Sequence, residues 1–275
     1  MKIAYQGIAG SYSESCAKEK YPNCETIPCK TFDECFEKAN NDSSVKAIIP
    51  ESNKTTGNIG VEYLIFKYRL NIFAEHFFPI NHNLLGIPGS KINDIKDVYS
   101  HAQALSQSSI FIKKNKLNEN VRADTAGSAK FISQDKDKSK GAISSKLSAN
   151  IYNLEILASN IQDEKENVTR FLIMQKDIFQ PEFQKKKYIT SLLFKLKSKA
   201  GALYSALGSF TLNGVNLTKL QSFAEKNSFS SYFFLCELDG HIEEKKVKNS
   251  LEELGLHCDD MHVLGVFEAD KYRDK

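Results

Sequence analysis

Tryptophan is absent from this 275-residue chain, and arginine is scarce: of 37 basic side chains only Arg69, Arg122, Arg170 and Arg273 are guanidinium groups. Where lysine is the default cation, each arginine raises the question of planar, bidentate geometry. Proline (6) and glycine (14) are sparse, which excludes long flexible tails and low-complexity linkers. No run approaches the roughly 20 apolar residues needed to cross a bilayer, so no membrane span is expected. The opening MKIAYQGIAG lacks a long apolar segment and a small-residue cleavage site. It reads as a strand rather than a signal peptide, and a cytoplasmic location is expected. Cys16, Cys24, Cys29, Cys35, Cys236 and Cys258 form no Cys-x-x-Cys pair, so free, reduced, mostly buried thiols are expected. Neither sign of charge dominates, with 37 basic against 34 acidic groups, and the longest basic run is Lys185 to Lys187. Nucleic acid and membrane surfaces are therefore not expected partners.

What is present is an alternation of short apolar strands and helices up to about residue 176. Strands are expected at Lys2–Gln6, Val45–Pro50, Leu70–Ile80, Leu84–Ile87, Val98–Ser100, Val121–Ala123, Ala142–Ser144 and Asn167–Met174. Helices fall between them, including Glu14–Lys20, one opened by Thr31 with Glu34 as a capping box, Ile59–Tyr68, Ala102–Lys114, Thr125–Ser133 and Lys146–Tyr152. This pattern implies mostly parallel sheet with helices on both faces, and ligands then bind in loops at the carboxyl ends of strands. Residues 179–187 read as a linker. Beyond it the order is strand, helix, strand, strand, helix, strand, the ferredoxin-like split arrangement, with Leu192, Phe194 and Leu196 alternating along a half-exposed first strand. Leu203, Leu207 and Phe210 share one face of its first helix.

Three loops offer chemistry. Asn167-Val168-Thr169-Arg170-Phe171 brings an amide, a hydroxyl and a guanidinium within a few residues. On a regular strand Thr169 and Phe171 share one face and Arg170 the other, so their convergence requires a turn or bulge. Ser100 ends a strand and could cap the helix after it, on which Gln103 and Gln107 lie four apart on one face. Asp124-Thr125-Ala126-Gly127 is a second small-residue junction into a helix. Taken one at a time, each also fits ordinary strand or capping roles. His76, His82 and His101 fit no short zinc spacing. Gly7-x-x-Gly10 lacks the third glycine of a dinucleotide fingerprint, and no G-x-S-x-G elbow occurs.

Together YQGIAGSYSE, SHAQALSQ, DTAGSAK, the run from GAISSKLSAN to ENVTRF, and GALYSALGSFTLNGVNLTKLQSF resemble, in the same order, the prephenate dehydratase family. The Thr169-Arg170-Phe171 triplet is its most characteristic signature. The resemblance implies a two-lobed, periplasmic-binding-protein-like α/β catalytic domain over residues 1–178 and a ferredoxin-like βαββαβ ACT regulatory domain over 188–275. It implies conversion of prephenate to phenylpyruvate without metal or cofactor, since aromatisation drives the reaction. Thr169 would assist departure of the ring hydroxyl, Arg170 would bind carboxylate or order the site, and Phe171 would wall the ring. Asn53, Ser100, Gln107 and Thr125 would line the cleft. L-Phenylalanine is the implied effector, held near Gly201, Ala202, Leu203, Asn216 and Leu217 of a homodimer or homotetramer. Two departures stand out. Residues 50–57 read PESNKTTG where the family has P-x-E-N-S-x-x-G, leaving Glu51 as the nearby carboxylate. Gln221-Ser222-Phe223-Ala224 replaces the family's E-S-R-P. Arogenate dehydratase, or a non-catalytic amino-acid sensor, are the alternative readings.

Overall fold

The computed structural model describes residues 1–225 and 231–275. In chain order the strands and helices begin β1 (Lys2–Gln6), α1 (Tyr12–Lys20), β2 (Glu25–Cys29), α2 (Phe32–Asn41), β3 (Val45–Asn53), β4 (Gly57–Asn58), α3 (Glu62–Tyr68), β5 (Asn71–Pro79) and β6 (Asn83–Gly86). They continue β7 (Asp97–Ser100), α4 (Ala102–Ser106), α5 (Ser109–Lys114), β8 (Asn118–Val121), α6 (Thr125–Asp135), β9 (Lys140–Ser144), α7 (Lys146–Ile151), β10 (Glu155–Ala158) and β11 (Val168–Gln175). The last are β12 (Tyr188–Leu196), α8 (Ala202–Leu212), β13 (Leu217–Ala224), β14 (Tyr232–Asp239), α9 (Lys245–Gly255) and β15 (Cys258–Glu268). Among the described residues three sheets form, ordered β2-β1-β3-β11-β5 with β4 paired to β3, β10-β6-β9-β7-β8, and β13-β14-β12-β15. No helix among the described residues is long and apolar enough to cross a membrane.

The chain divides into two compact units: residues 1–35, 47–59 and 76–171, and residues 36–46, 60–75 and 172–275. In the first, Ser11 caps α1, Asp124 caps α6 and Ser145 caps α7, each side chain accepting a first-turn backbone N–H. Thr31 accepts from Glu34 N at 3.1 Å, while the Glu34 carboxylate takes Lys30 N at 2.7 Å, a capping box displaced by one residue. In the second sheet Leu84 packs into one apolar cluster with Val98 and Ile143, and Leu85 into another with Ile132 and Ala142. Neighbouring residues on β6 thus bury both faces, as a helix-covered sheet requires. The pairing is mixed: β7 runs parallel to β8 and β9, but β6 is antiparallel to β9 and β10.

Four expectations are corrected. The helix expected over 102–114 breaks into α4 and α5. Its Ser106-Gln107-Ser108-Ser109 stretch is poor in helix formers, and Ser108 N–H bonds back three residues to Leu105. The strand expected at 121–123 lies instead at Asn118–Val121, a polar edge strand with no apolar alternation to reveal it. The edge strands β2 and β10 were not expected at all. β12 is buried on both faces through Phe194 rather than half-exposed: it is an inner strand between β14 and β15, and α8 and α9 cover the face that carries Leu192 and Phe194.

In the second unit Leu192, Phe194, Phe210, Leu238 and Leu254 form the core between the sheet and its two helices. On the opposite face Phe66 of α3 lies 4.3 Å from the Phe233 ring, and Gln221 donates to Glu62 at 2.9 Å. Leu203, expected on the buried face of α8, is 38% exposed. No disulfide joins the six cysteines, all of which lie among the described residues, and all but Cys24 are buried; burial, helped by Glu237, pushes the Cys236 thiol up to about 12.

Candidate active site

β3 ends in a tight hairpin with β4 that turns on Asn53. Asn53 Oδ1 accepts from Thr55 N at 3.0 Å, Thr56 N at 3.1 Å and Thr55 Oγ1 at 2.6 Å, which bends the polar loop back on itself. With its oxygen so occupied, Asn53 Nδ2 donates to Asn167 Oδ1 at 2.8 Å and to Thr169 Oγ1 at 2.9 Å. The Thr169 hydroxyl, accepting there, keeps its own hydrogen for another acceptor.

Thr169, Arg170 and Phe171 all lie within the continuous strand β11. Thr169 and Phe171 line a cavity of about 460 Å³, together with Asn53, Gln107, Thr125 and His82. Arg170 points the other way, where its guanidinium meets Glu51 at 3.2 Å, both side chains being buried. Ser52 donates to the same Glu51 carboxylate at 2.8 Å. The convergence of all three signature residues, which required a bulge, is therefore not what forms. Glu51 does supply a carboxylate, but to Arg170 rather than to the cavity.

Despite the break between α4 and α5, Gln103 and Gln107 reach the same loop: Gln103 Nε2 donates to Thr56 Oγ1 at 3.0 Å and Gln107 Nε2 to Thr55 Oγ1 at 2.8 Å. Thr125 lies at the N-terminus of α6, whose cap Asp124 accepts from Gly127 N at 2.5 Å. Ser100 does not join them. Fully buried, its hydroxyl donates to Ile143 O at 2.6 Å, and the cap of α4 is His101. Apolar surface comes from Ile59, Ile80 and Phe171, the last edge-on to Phe78 at 6.4 Å.

Two residues that spacing alone did not single out complete the arrangement. Tyr12 OH lies 2.7 Å from His82 Nδ1, and His82 Nε2 lies 2.9 Å from Gln107 Oε1. Burial pushes the His82 pKa below its ordinary value, outweighing the Gln107 hydrogen bond. Burial also drives the Tyr12 phenol well above its ordinary range, so it stays protonated. His76 pairs instead with Glu19 at 3.1 Å, so the three histidines considered for a metal serve separate contacts. A hollow of about 510 Å³ beside Lys18, Asn81 and Lys146 is slightly larger but contains neither Thr169 nor Asn53.

In the second unit Gly201 takes φ +75° at the start of α8. With Ala202 and Leu203 it lines a cavity of about 620 Å³ that also includes Lys199, Tyr232 and Phe234. Asn216 and Leu217 are not among its lining residues. Asn216 donates to Asp239 at 2.7 Å.

The model of the family described as prephenate dehydratase matches residues 3–178. Arogenate dehydratase 2 of Petunia hybrida is 36% identical over 285 residues, covering 98% of this chain and 72% of that protein. A bifunctional N-acyl-homoserine lactone acylase/prephenate dehydratase of Komagataeibacter europaeus is 34% identical, covering 99% of this chain and 98% of that one. Among solved structures, that of GqqA, described as a novel type of quorum quenching acylase, matches with a TM-score of 0.93 at 33% identity, covering 100% of both chains.

Proposed function

Because the chain belongs to the prephenate dehydratase family, it is a carbon–oxygen lyase of aromatic amino-acid biosynthesis, and we propose that its reaction takes place in the Asn53–Thr169 cavity. The observation that carries this reading is the Asn53-to-Thr169 hydrogen bond of 2.9 Å, which leaves the Thr169 hydroxyl hydrogen available to a substrate oxygen.

In the reaction the ring carbon–oxygen bond breaks with its electron pair going to oxygen. The carbon–carbon bond to the ring carboxylate breaks as well, and its pair completes the aromatic ring. Carbon dioxide and, after proton uptake, water leave; phenylpyruvate remains. Thr169 stabilises the departing hydroxyl by donating a hydrogen bond to it, and the proton that makes it water comes from solvent. A departing carboxylate loses charge, so the apolar flank of Phe171, Ile59 and Ile80 favours the transition state over the solvated ground state. Thr125, at the positive end of α6, suits the pyruvyl carboxylate. Arg170 orders β3 against β11 through Glu51 rather than binding substrate. No metal or cofactor enters this scheme.

Residues 1–178 would form the catalytic domain and 179–187 the linker. Residues 188–275 would form an ACT domain in which L-phenylalanine is held at Gly201, Ala202 and Leu203 of one copy and Asn216 and Leu217 of another. That arrangement makes the protein a homodimer or homotetramer, working in the cytoplasm. The test is an assay of purified protein with prephenate and with arogenate, following phenylpyruvate and phenylalanine. Faster conversion of prephenate is expected; faster conversion of arogenate would reassign the substrate, and conversion of neither would leave a binding protein.

A further inference from the structure

The proton positions around His82 follow from its partners. The backbone N–H groups of Thr55 and Thr56 can only donate, so the oxygen of the Asn53 amide faces them and its nitrogen faces Asn167 and Thr169. Asn167 accepts at Oδ1 and therefore donates from Nδ2 to Gln107 Oε1, at 3.0 Å. Gln107 Nε2 then donates to Thr55 Oγ1 at 2.8 Å, and the Thr55 hydroxyl donates to Asn53 Oδ1 at 2.6 Å, closing a ring. His82 Nε2 lies 2.9 Å from the same Gln107 oxygen and so must carry a hydrogen. In the neutral imidazole Nδ1 is then the acceptor, and the Tyr12 hydroxyl, which also lies 3.1 Å from Asn81 O, gives its one hydrogen to the nearer Nδ1 at 2.7 Å.

The ring takes its direction from Asn53, but it does not by itself hold Gln107 in place. Gln107 follows a five-residue helix and precedes a break, so no continuous helix fixes its backbone. Its amide oxygen is gripped from two sides, by Asn167 and by His82. His82 comes from the short connection between β5 and β6, is 2% exposed, and packs edge-on against Tyr12 with ring centroids 5.5 Å apart.

We infer that His82, oriented by Tyr12, is a positioning residue for the dehydration. It holds the Gln107 amide against Asn167, and through Asn167 and Asn53 keeps the Thr169 hydroxyl hydrogen aimed at the leaving oxygen. The inference rests on the dehydratase reading above. In this role neither His82 nor Tyr12 gains or loses a proton during turnover.

The test joins nitrogen NMR of histidine-labelled protein to steady-state kinetics. Above the histidine titration range, wild-type His82 should be protonated at Nε2 and bare at Nδ1, and Tyr12→Phe should shift it toward a mixture of tautomers. His82→Leu should lower kcat on the order of tenfold to a hundredfold with little change in KM, the signature of misdirected rather than missing contacts. His82→Gln, which can place an amide N–H near the lost Nε2–H, should recover most of that rate. An Nδ1-protonated wild-type ring, or folded His82→Leu protein with wild-type kcat, would overturn the inference. Equal impairment in the Leu and Gln variants would also overturn it, reducing His82 to packing. Failure of wild-type protein to convert either prephenate or arogenate would instead overturn the dehydratase reading, and the tautomer spectrum does not depend on it.

Discussion

Arg170 Nη1 and Glu51 Oε2 lie 3.2 Å apart with 7% and 3% of their side chains exposed, behind the strand whose other face carries Thr169. Two charges removed from water are tolerated only as a pair, so removing one is far worse than removing both. Arg170→Met should therefore cost about 3–5 kcal/mol of stability, and adding Glu51→Gln should restore part of it. Urea unfolding of the two variants checks this. Equal stability of Arg170→Met and wild type would show that the pair does not order the strands.

Thr169 is expected to behave differently from its neighbour. Thr169→Ala should leave stability and KM nearly unchanged and lower kcat by about 30- to 1,000-fold, the effect of about 2–4 kcal/mol of lost transition-state hydrogen bonding. Thr169→Ser, which keeps the hydroxyl, should retain most of the rate. Unchanged turnover in folded Thr169→Ala would remove the residue from the mechanism.

The contrast between these two neighbours marks how far the sequence could be read. Strand alternation already separates Thr169 and Phe171 from Arg170, and only the supposition that all three converge called for a bulge. The interior strand Val45–Asn53 announced itself by an apolar run, because both its faces are covered. The edge strands β2 and β8 did not: ETIPC and NENV are largely exposed and carry no apolar run, while in β10 the run Ile156-Leu157-Ala158 is too short to stand out. Gln103 and Gln107 share a direction that spacing indicated, although a helix break between them and the next turn was hidden in a serine-rich stretch. His82 stood out in the sequence only as a metal candidate, since a lone histidine between two strands reveals its partners Tyr12 and Gln107 only when the chain has folded.

Glu14 predicts a pH dependence. Burial by itself would raise its pKa, but hydrogen bonds from Lys18, Gly10 N and Thr26 overcome that and hold it below the ordinary 4.5. A carboxyl whose folded pKa is depressed contributes stability that is complete above its unfolded pKa and lost as pH falls through the folded one. Unfolding free energy should thus drop below about pH 4.5 in wild type, and the drop should be smaller in Glu14→Gln, which has no proton to take up. Parallel pH profiles for the two proteins would sever the loop at Gly10 from Glu14.

Arg273, near the C-terminal end of the sequence, meets two buried carboxylates: Glu75 at 2.6 and 2.8 Å through two nitrogens, and Glu237 at 3.1 Å. Their side chains are 0% and 3% exposed. Arg273→Met would leave both acids short of their shared cation and should cost about 3–5 kcal/mol, measurable in the unfolding of the whole protein. Arg273→Lys should recover little, because one ammonium cannot reproduce the fork that grips Glu75. Wild-type stability in the Met variant would show that these acids are held by other contacts.

Regulation can be tested at Gly201. Its φ of +75° is a conformation that glycine and asparagine adopt readily, and a Cβ built there meets nothing within 4 Å. Gly201→Asn should therefore fold while projecting an amide into the cavity that Ala202 and Leu203 also line. If L-phenylalanine binds there and prefers one of two states of the enzyme, it must alter prephenate kinetics in wild type. Inhibition is the expected sign, and the asparagine variant should lose both the heat of binding and the inhibition. Calorimetry and initial rates over a phenylalanine titration measure the two together. Binding to wild type without any change in rate would separate the site from catalysis, whereas no binding at millimolar ligand would remove the effector altogether. Gln221, in the segment that departs from the family pattern, donates to Glu62 of α3. Gln221→Glu would set two carboxylates against each other there. If the altered segment conveys the effect, that variant should bind phenylalanine as wild type does yet respond to it less.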